Sequence, residues 1–487
     1  MKIDRQLEPR ALAPKIERLW TLSAQKIRAL EKTTHQGEGA PVFTVNGRYT
    51  ARGWTEWTQG FQVGASILQF DATGEAEFLA LGRKHTVDVM ASHVSHTGVH
   101  DHGFNNVSTY GNLLRLAHEG RIDASDWERR FYELALKISG AVQTARWTKT
   151  QDGRGFIYSF NGPHSLFSDT IRSLRALALA HRLGHVLMGE RDQKISLLGR
   201  LVDHALVTAQ YNVYYGRGRD AYDVRGRVVH ESIFNTNDGH YRCPSTQQGY
   251  APFSTWTRGQ AWIILGYAEE LELFEKISEA ELAPFVKKAD FVELLEEAAR
   301  ATSDFYIDEG TAADGIPYWD TGAPRLAGLG DWKARPADPF NEHEPVDSSA
   351  AAIAAQGLLR LGRYLRGRDD TAASRYWQAG LTVANALFAE PYLSTRADHQ
   401  GLLLHSVYHR PNGWDAIPAG QKVPNGESSM WGDYHARELA LYLQRVIKNE
   451  PYHRFFWERA VTPSTITFRS RQSTVDSRQF RSRQPES

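Results

Sequence analysis

The chain of 487 residues is 41% hydrophobic and 11% aromatic, enough apolar surface for one very large domain or two to three ordinary ones. Lys plus Arg equals Asp plus Glu at 57 each, so no global field draws the protein to nucleic acid or to an anionic membrane. A single cysteine, Cys243, excludes an intramolecular disulfide and a cysteine-based zinc cluster; the first residues hold no leader-like apolar stretch, and no run approaches the roughly 18–20 apolar residues of a membrane span, so a cytoplasmic protein is expected.

Helical periodicity predicts twelve helices, over about 12–31, 56–70, 75–94, 105–119, 124–143, 166–188, 193–209, 257–275, 286–306, 347–366, 371–388 and 430–447. The clearest, SDTIRSLRALALAHRLGH and DSSAAAIAAQGLLRLGRYLR, open on a Ser or Asp suited to an N-cap. Loops rich in Gly, Pro and aromatics separate them at 211–256 and 308–346, and β-like alternation is confined to short pieces such as RGRVVHESIF. No βαβ alternation and no Gly-rich phosphate loop after a strand occurs, which argues against a nucleotide fold. Twelve helices in sequential pairs predict an all-α closed double ring, with two stacked α-domains as the alternative. In a ring, loops at one end gather around a central cavity. The globular domain is expected over 1–460. Residues 461–487 repeat FRSRQ, carry five Arg against two acids and show no amphipathic period, so they are expected to be a disordered tail.

Four segments hold candidate chemistry. In HDHGF (100–104), Asp101 is a metal ligand, a helix cap or a cavity carboxylate; consecutive His, Asp and His side chains are expected to diverge, which argues against a metal. Asp169 opens the next apolar helix and is either its N-cap or a second carboxylate at the same end of the ring. Paired carboxylates in an aromatic pocket suit acid/base work on a sugar. In STWTRGQAW, Arg258 and Trp262 lie four apart and share a helical face, with Gln248 ten residues before Arg258. GLLLHSVYH (401–409) and MWGDYHARELALYL (430–443) set His, Tyr, Trp and Asp433 beside late helix starts. Thirteen Trp and twenty Tyr suit the flat faces of sugar rings as well as core packing.

WTQGF (57–61), HDHGF, Asp169 at its helix start, QGY followed by STWTRGQAW (248–262), VDSSAAAIAAQGLL (346–359), GLLLHSVYH and MWGDY (430–434) together resemble glycoside hydrolase family 88, the unsaturated glucuronyl hydrolases. The resemblance spans about residues 10–450, and the related family 105, the unsaturated rhamnogalacturonyl hydrolases, shares parts of it. It implies an (α/α)6 barrel that hydrates the C4=C5 bond of a 4,5-unsaturated glucuronate at the non-reducing end of a lyase product. It implies Asp169 as general acid/base and Asp101 as the second essential carboxylate, whose charge helps keep Asp169 protonated. It implies His230, Gln248, Arg258, Trp262 and Trp57 as sugar contacts. A Trp expected near the Asp169 loop is missing, with Phe156 or Tyr158 of GFIYSF as its replacement. The stretch before MWGDY is longer than the resemblance leads one to expect and lacks the Ser/Lys set linked to sulfated fragments, which argues against a sulfated substrate. The alternatives are a saturated β-glucuronidase, an unsaturated rhamnogalacturonyl hydrolase, or a non-catalytic sugar-binding toroid. An oligosaccharide is the expected partner, with no nucleic acid, membrane, metal or cofactor, and the assembly is expected to be a monomer or homodimer.

Overall fold

Six helical segments are buried on nearly every face and so cannot lie at a surface. They are Gln59–Thr73, the composite run from His102 to His118, the pair Thr170–Ser173 and Arg175–Arg182, Thr257–Phe274, Ser348–Tyr364 and Met430–Ile447. Each packs on the next, and Met430–Ile447 returns to Gln59–Thr73, closing an inner ring. Between them in sequence run Ala13–Glu31, Ala76–Asp88, Asp126–Ala145, Leu197–Tyr211, Lys288–Phe305 and Asp370–Leu387, each packed on an inner neighbour. These outer helices are amphipathic: Asp126–Ala145 buries Tyr132 and Leu136 while exposing Trp127 and Leu134. The chain is an (α/α)6 barrel. The computed structural model describes residues 1–33, 39–52 and 57–457, of which Met1–Phe456 form one compact unit. The expected tail at 461–487 lies outside the described residues.

The alternation of inner and outer helices has a consequence for the site. Every inner helix runs in the same direction, so all six N-termini gather at one end. The long loops there carry small antiparallel sheets. The most consequential joins Ser165–Phe167, Glu231–Phe234 and Tyr241–Ser245, with Phe167 opposite Glu231. That pairing corrects the helix expected from 166: the chain is extended until Phe167, and helix begins only at Thr170. It ends at Arg182 rather than 188, because Gly184 takes a left-handed conformation (φ 77°). The segment ESIFNTNDGHYRCPSTQ is the hairpin that follows.

Candidate active site

Asp101 and Asp169 both occupy the N-cap position of an inner helix, and neither side chain caps it. Two other inner helices are capped: Asp347 accepts the N–H groups of Ser349 and Ala350, and Ser429 that of Gly432. The two uncapped carboxylates turn instead to His100. Its Nε2 lies 3.3 Å from Asp169 Oδ2 and 3.9 Å from Asp101 Oδ1. Gln143 and Ser173 both donate to the His100 carbonyl, anchoring the loop from behind. The glycine of HDHGF has a steric cause: a Cβ on Gly103 would sit 2.2 Å from the Ser173 carbonyl oxygen, so only glycine lets these two helix starts meet.

His100 and Asp101 therefore converge, contrary to the expected divergence of neighbouring side chains. Asp101 (φ −84°, ψ 17°) is not yet helical, so helical spacing does not apply there. His102 is the residue that turns away, accepting from Ser139 and donating to the His96 carbonyl, with burial pushing its pKa down to about 4. One ligand atom each from His100, Asp101 and Asp169 lie within 4.8 Å of one another, the set that could hold a cation among the described residues. The Nε2–Oδ2 hydrogen bond already occupies two of those three atoms.

The proton is distributed differently from what the sequence implied. Burial lifts the Asp101 carboxyl to about 6, and the nearby Asp169 charge adds to the rise. Burial works on Asp169 in the same direction, but the His100 imidazolium and its hydrogen bond outweigh it and hold Asp169 below the usual carboxylate range. His100 itself, despite burial, is raised by the two carboxylates. Of the two carboxyls Asp101 is thus the one that holds its proton to the higher pH, and Asp169 the more readily ionised. The expectation that Asp101 keeps Asp169 protonated is reversed in this state.

These acids form the floor of a cavity of ≈ 260 Å³ also lined by Val42, Arg52, Trp57, Phe160, Gln247, Gln248, Trp256, Arg258, Trp262, Tyr408, His409 and Trp414. It therefore gathers Asp101, Asp169, Trp57, Gln248, Arg258 and Trp262. His230 is absent from the lining. Its Nδ1 accepts the N–H groups of Gln247 and Gln248, its ring packs on Phe167 and Trp256, and its carbonyl accepts from Ser168 N. It stands behind the wall at Gln247 and Gln248, with its buried Nε2 left without a protein partner.

Arg258 reaches the cavity but is largely committed. It donates to Asp347, to the carbonyls of Val407 and Tyr408 and to Gln248 Oε1, between the rings of Trp256 and Trp431 at 4.7 Å each. Trp57 stacks on Trp431 with centroids 4.9 Å apart, and Trp262 tilts against Phe104 at the same distance.

Phe160, the last residue of GFIYSF, supplies the aromatic wall expected from Phe156 or Tyr158. Phe156 is buried in a cluster with Leu166, Val207 and Phe234, while Tyr158 lies against Arg146. Tyr408, His409 and Trp256 belong to segments whose composition had drawn attention. Arg52, Gln247 and Trp414 sit in loops without periodicity and gave no such signal. His409 Nδ1 accepts from Asn412, leaving a buried Nε2 without a protein partner, and Asp169 Oδ1 and Gln247 Oε1 are likewise unpartnered. Unsatisfied buried polar atoms converging on one cavity are what a bound polar ligand would complete.

A ring of helix starts around an aromatic cavity with two coupled carboxylates defines a carbohydrate-active (α/α)6 enzyme architecture. No protein-family model matches the chain. An unsaturated glucuronyl hydrolase of Formosa agariphila is 24% identical over 393 residues, 80% of this chain and 81% of that one. The unsaturated glucuronyl hydrolase of Bacillus sp. strain GL1 is 25% identical over 437 residues, 87% of this chain and 94% of that one. The solved structure of an unsaturated glucuronyl hydrolase specific for heparin superposes with a TM-score of 0.66 at 20% identity, covering 90% of this chain and 98% of that one. The chain is homologous to the unsaturated glucuronyl hydrolases of glycoside hydrolase family 88 over most of its length.

Proposed function

We propose that this protein removes a 4,5-unsaturated glucuronate from the non-reducing end of lyase-generated oligosaccharides, with residues 1–460 as its catalytic domain. The observation that carries the reading is the uncapped pair Asp101 and Asp169 sharing His100 at the floor of an aromatic cavity. A vinyl ether is hydrated by one proton delivered to C4 and one water oxygen added at C5. The resulting hemiketal opens and releases the reducing-side sugar. Asp169 acts as the acid and then accepts a proton from the attacking water. Because it is ionised at rest, its proton comes from His100, whose Nε2–H already points at Oδ2. An incoming uronate adds a negative charge near the cluster, which raises carboxyl pKa values and favours that transfer. Asp101, in its ionised fraction, stabilises the positive charge that develops at C5. Trp57, Phe160 and Trp262 offer faces to the sugar ring, and Gln248, Arg258 and the wall behind them at His230 fix its polar edge.

The carboxylate spacing bears on the rival reading. An inverting glycosidase needs about 6.5–9.5 Å between its carboxyl groups and a retaining one about 5–5.5 Å; Asp101 and Asp169 bring oxygens within 4.8 Å, which weighs against the inverting route on a saturated substrate. The test is to follow loss of ultraviolet absorbance from the C=C bond of an unsaturated glucuronyl disaccharide. Turnover abolished by Asp169→Asn supports the reading; no absorbance loss across several glycan types, or glucuronate released from a saturated substrate instead, overturns it. No helix among the described residues is long and apolar enough to cross a membrane. The unpaired, exposed Cys243 suits a reducing compartment, and we place the enzyme in the cytoplasm as a monomer or homodimer, which fractionation and light scattering would check.

A further inference from the structure

The cavity is graded from floor to mouth. Asp101 and Asp169 are 4% and 9% exposed, whereas Trp414 is half-buried and Arg52 exposed. A sugar chain entering with its non-reducing end towards the acids therefore leaves its second residue beside Arg52 and Trp414. Two guanidinium groups line the cavity, and they differ in what remains to them. Arg258 is neutralised by Asp347 and spends its donors on the Val407 and Tyr408 carbonyls and on Gln248. Arg52, which directly follows the Arg48–Ala51 strand, instead lies against two aromatic rings that touch each other at 5.3 Å and so meet it from one side. Its guanidinium lies 5.5 Å from the Tyr408 ring centroid and 4.9 Å from that of Trp414. Stacking on one side pre-orients a guanidinium and leaves its N–H edge to bind, which is the geometry that receives a carboxylate or sulfate in a bidentate manner.

The two rings are themselves held in place. Tyr408 N and His409 N donate to Asp415, next in sequence to Trp414, and Trp414 packs on both Tyr408 and His409. The long stretch before MWGDY thus has a structural product: its start builds one side of a cradle for Arg52.

We propose that Arg52 is a specificity-determining residue that binds an anionic group, carboxylate or sulfate, on the sugar adjoining the unsaturated glucuronate. This rests on the hydrolase reading above, and it places the selectivity for a charged second sugar outside the Ser/Lys set that the sequence lacks.

The experiment compares wild type, Arg52→Gln and Arg52→Lys on three unsaturated glucuronyl disaccharides. Their second sugars are a neutral N-acetylhexosamine, its 6-sulfate, and a uronate. Wild type is expected to favour at least one charged substrate over the neutral one by about 10- to 100-fold in kcat/KM, the range of a charge-assisted hydrogen bond. That ratio should fall towards one in Arg52→Gln and partly recover in Arg52→Lys, and which charged arm responds identifies the anion. An unchanged ratio in Arg52→Gln overturns the proposal. So does an equal loss on all three substrates, which would assign Arg52 to the glucuronate itself. If wild type turns over none of them, the hydrolase reading fails by itself. Calorimetric binding of the same three compounds then decides for Arg52: charge-dependent affinity lost in Arg52→Gln supports it, and equal affinities overturn it.

Discussion

Two buried clusters of charge lie along the same inner helices and are built on opposite rules. One turn beyond Asp169, Arg172 bonds Glu269 and Glu438, Arg360 bonds Glu272, and Arg175 lies within 4 Å of both Glu269 and Glu438. Three guanidiniums meet three carboxylates, so the network is close to neutral. At the helix starts, two carboxylates share one imidazole. A compensated network ties helices together. An uncompensated one holds a movable proton, and its deficit is what a ligand can make up. The comparison teaches that burial of charge is not itself a mark of function; two carboxylates competing for one partner beside a cavity are.

The largest effect should come from breaking the incomplete cluster. Asp169→Asn is expected to lower kcat by about 10⁴-fold, at the upper end for loss of a general acid/base, while leaving the thermal midpoint within a few degrees. Steady-state kinetics beside calorimetry checks both halves, and activity retained in the variant would remove Asp169 from the role. The converse substitution, Arg172→Met, leaves Glu269 and Glu438 buried without their partner and should cost about 3–5 kcal/mol of unfolding free energy. Urea titration measures it. A loss under 1 kcal/mol would contradict the view that this network ties the ring.

Asp101 sharpens the contrast through pH. Its folded pKa is about 6, above its ordinary value of 3.8, so the folded state holds a proton that the unfolded chain gives up. Its contribution is therefore fully present below pH 4 and is lost as pH rises to 6 and beyond, by an amount on the order of 3 kcal/mol. Asp101→Asn should accordingly gain stability relative to wild type at pH 7 but not at pH 4, while losing turnover. His100 works with the opposite group type: its raised pKa gives stability below pH 6.5 that disappears as pH passes its folded value. His100→Gln should move the alkaline limb of the kcat/KM profile to lower pH. A thermal midpoint difference independent of pH would contradict the first assignment, and an unmoved limb the second.

The fold was legible because helical periodicity survives burial: the inner helix Met430–Ile447 has the bounds that its pattern indicates, and the ring follows from counting pairs. The site was legible where residues stand at helix starts, as with Asp101, Asp169 and Arg258. It was illegible where contacts arise between loops. Nothing local tells that Phe167 pairs with Glu231, which brings His230 behind the Asp169 loop, or that Arg52 meets Trp414 across 362 positions of sequence. Nor can spacing show that His100 and Asp101 converge, since that depends on a backbone turn at a single residue. Protonation was the least accessible, because it depends on which of two similar carboxyls the imidazole reaches first.

The smallest expected effect separates two neighbours in GFIYSF. Phe160 lines the cavity, whereas Tyr158, two residues earlier in the loop after the Gly155–Ile157 strand, carries the Arg146 guanidinium 4.3 Å from its ring centroid. Arg146 in turn donates to the carbonyls of Tyr158 and Ser159, so that ring braces the loop and not the sugar. Phe160→Ala should raise KM about tenfold, some 1.4 kcal/mol of lost stacking on the sugar, with kcat affected less. Tyr158→Ala should instead cost about 1 kcal/mol of stability through the lost cation–π contact and leave KM unchanged. Both quantities are measurable on the same unsaturated disaccharide and the same urea titration. If the two substitutions exchanged their effects, the wall of the cavity would have to be drawn through Tyr158, as the sequence alone had suggested.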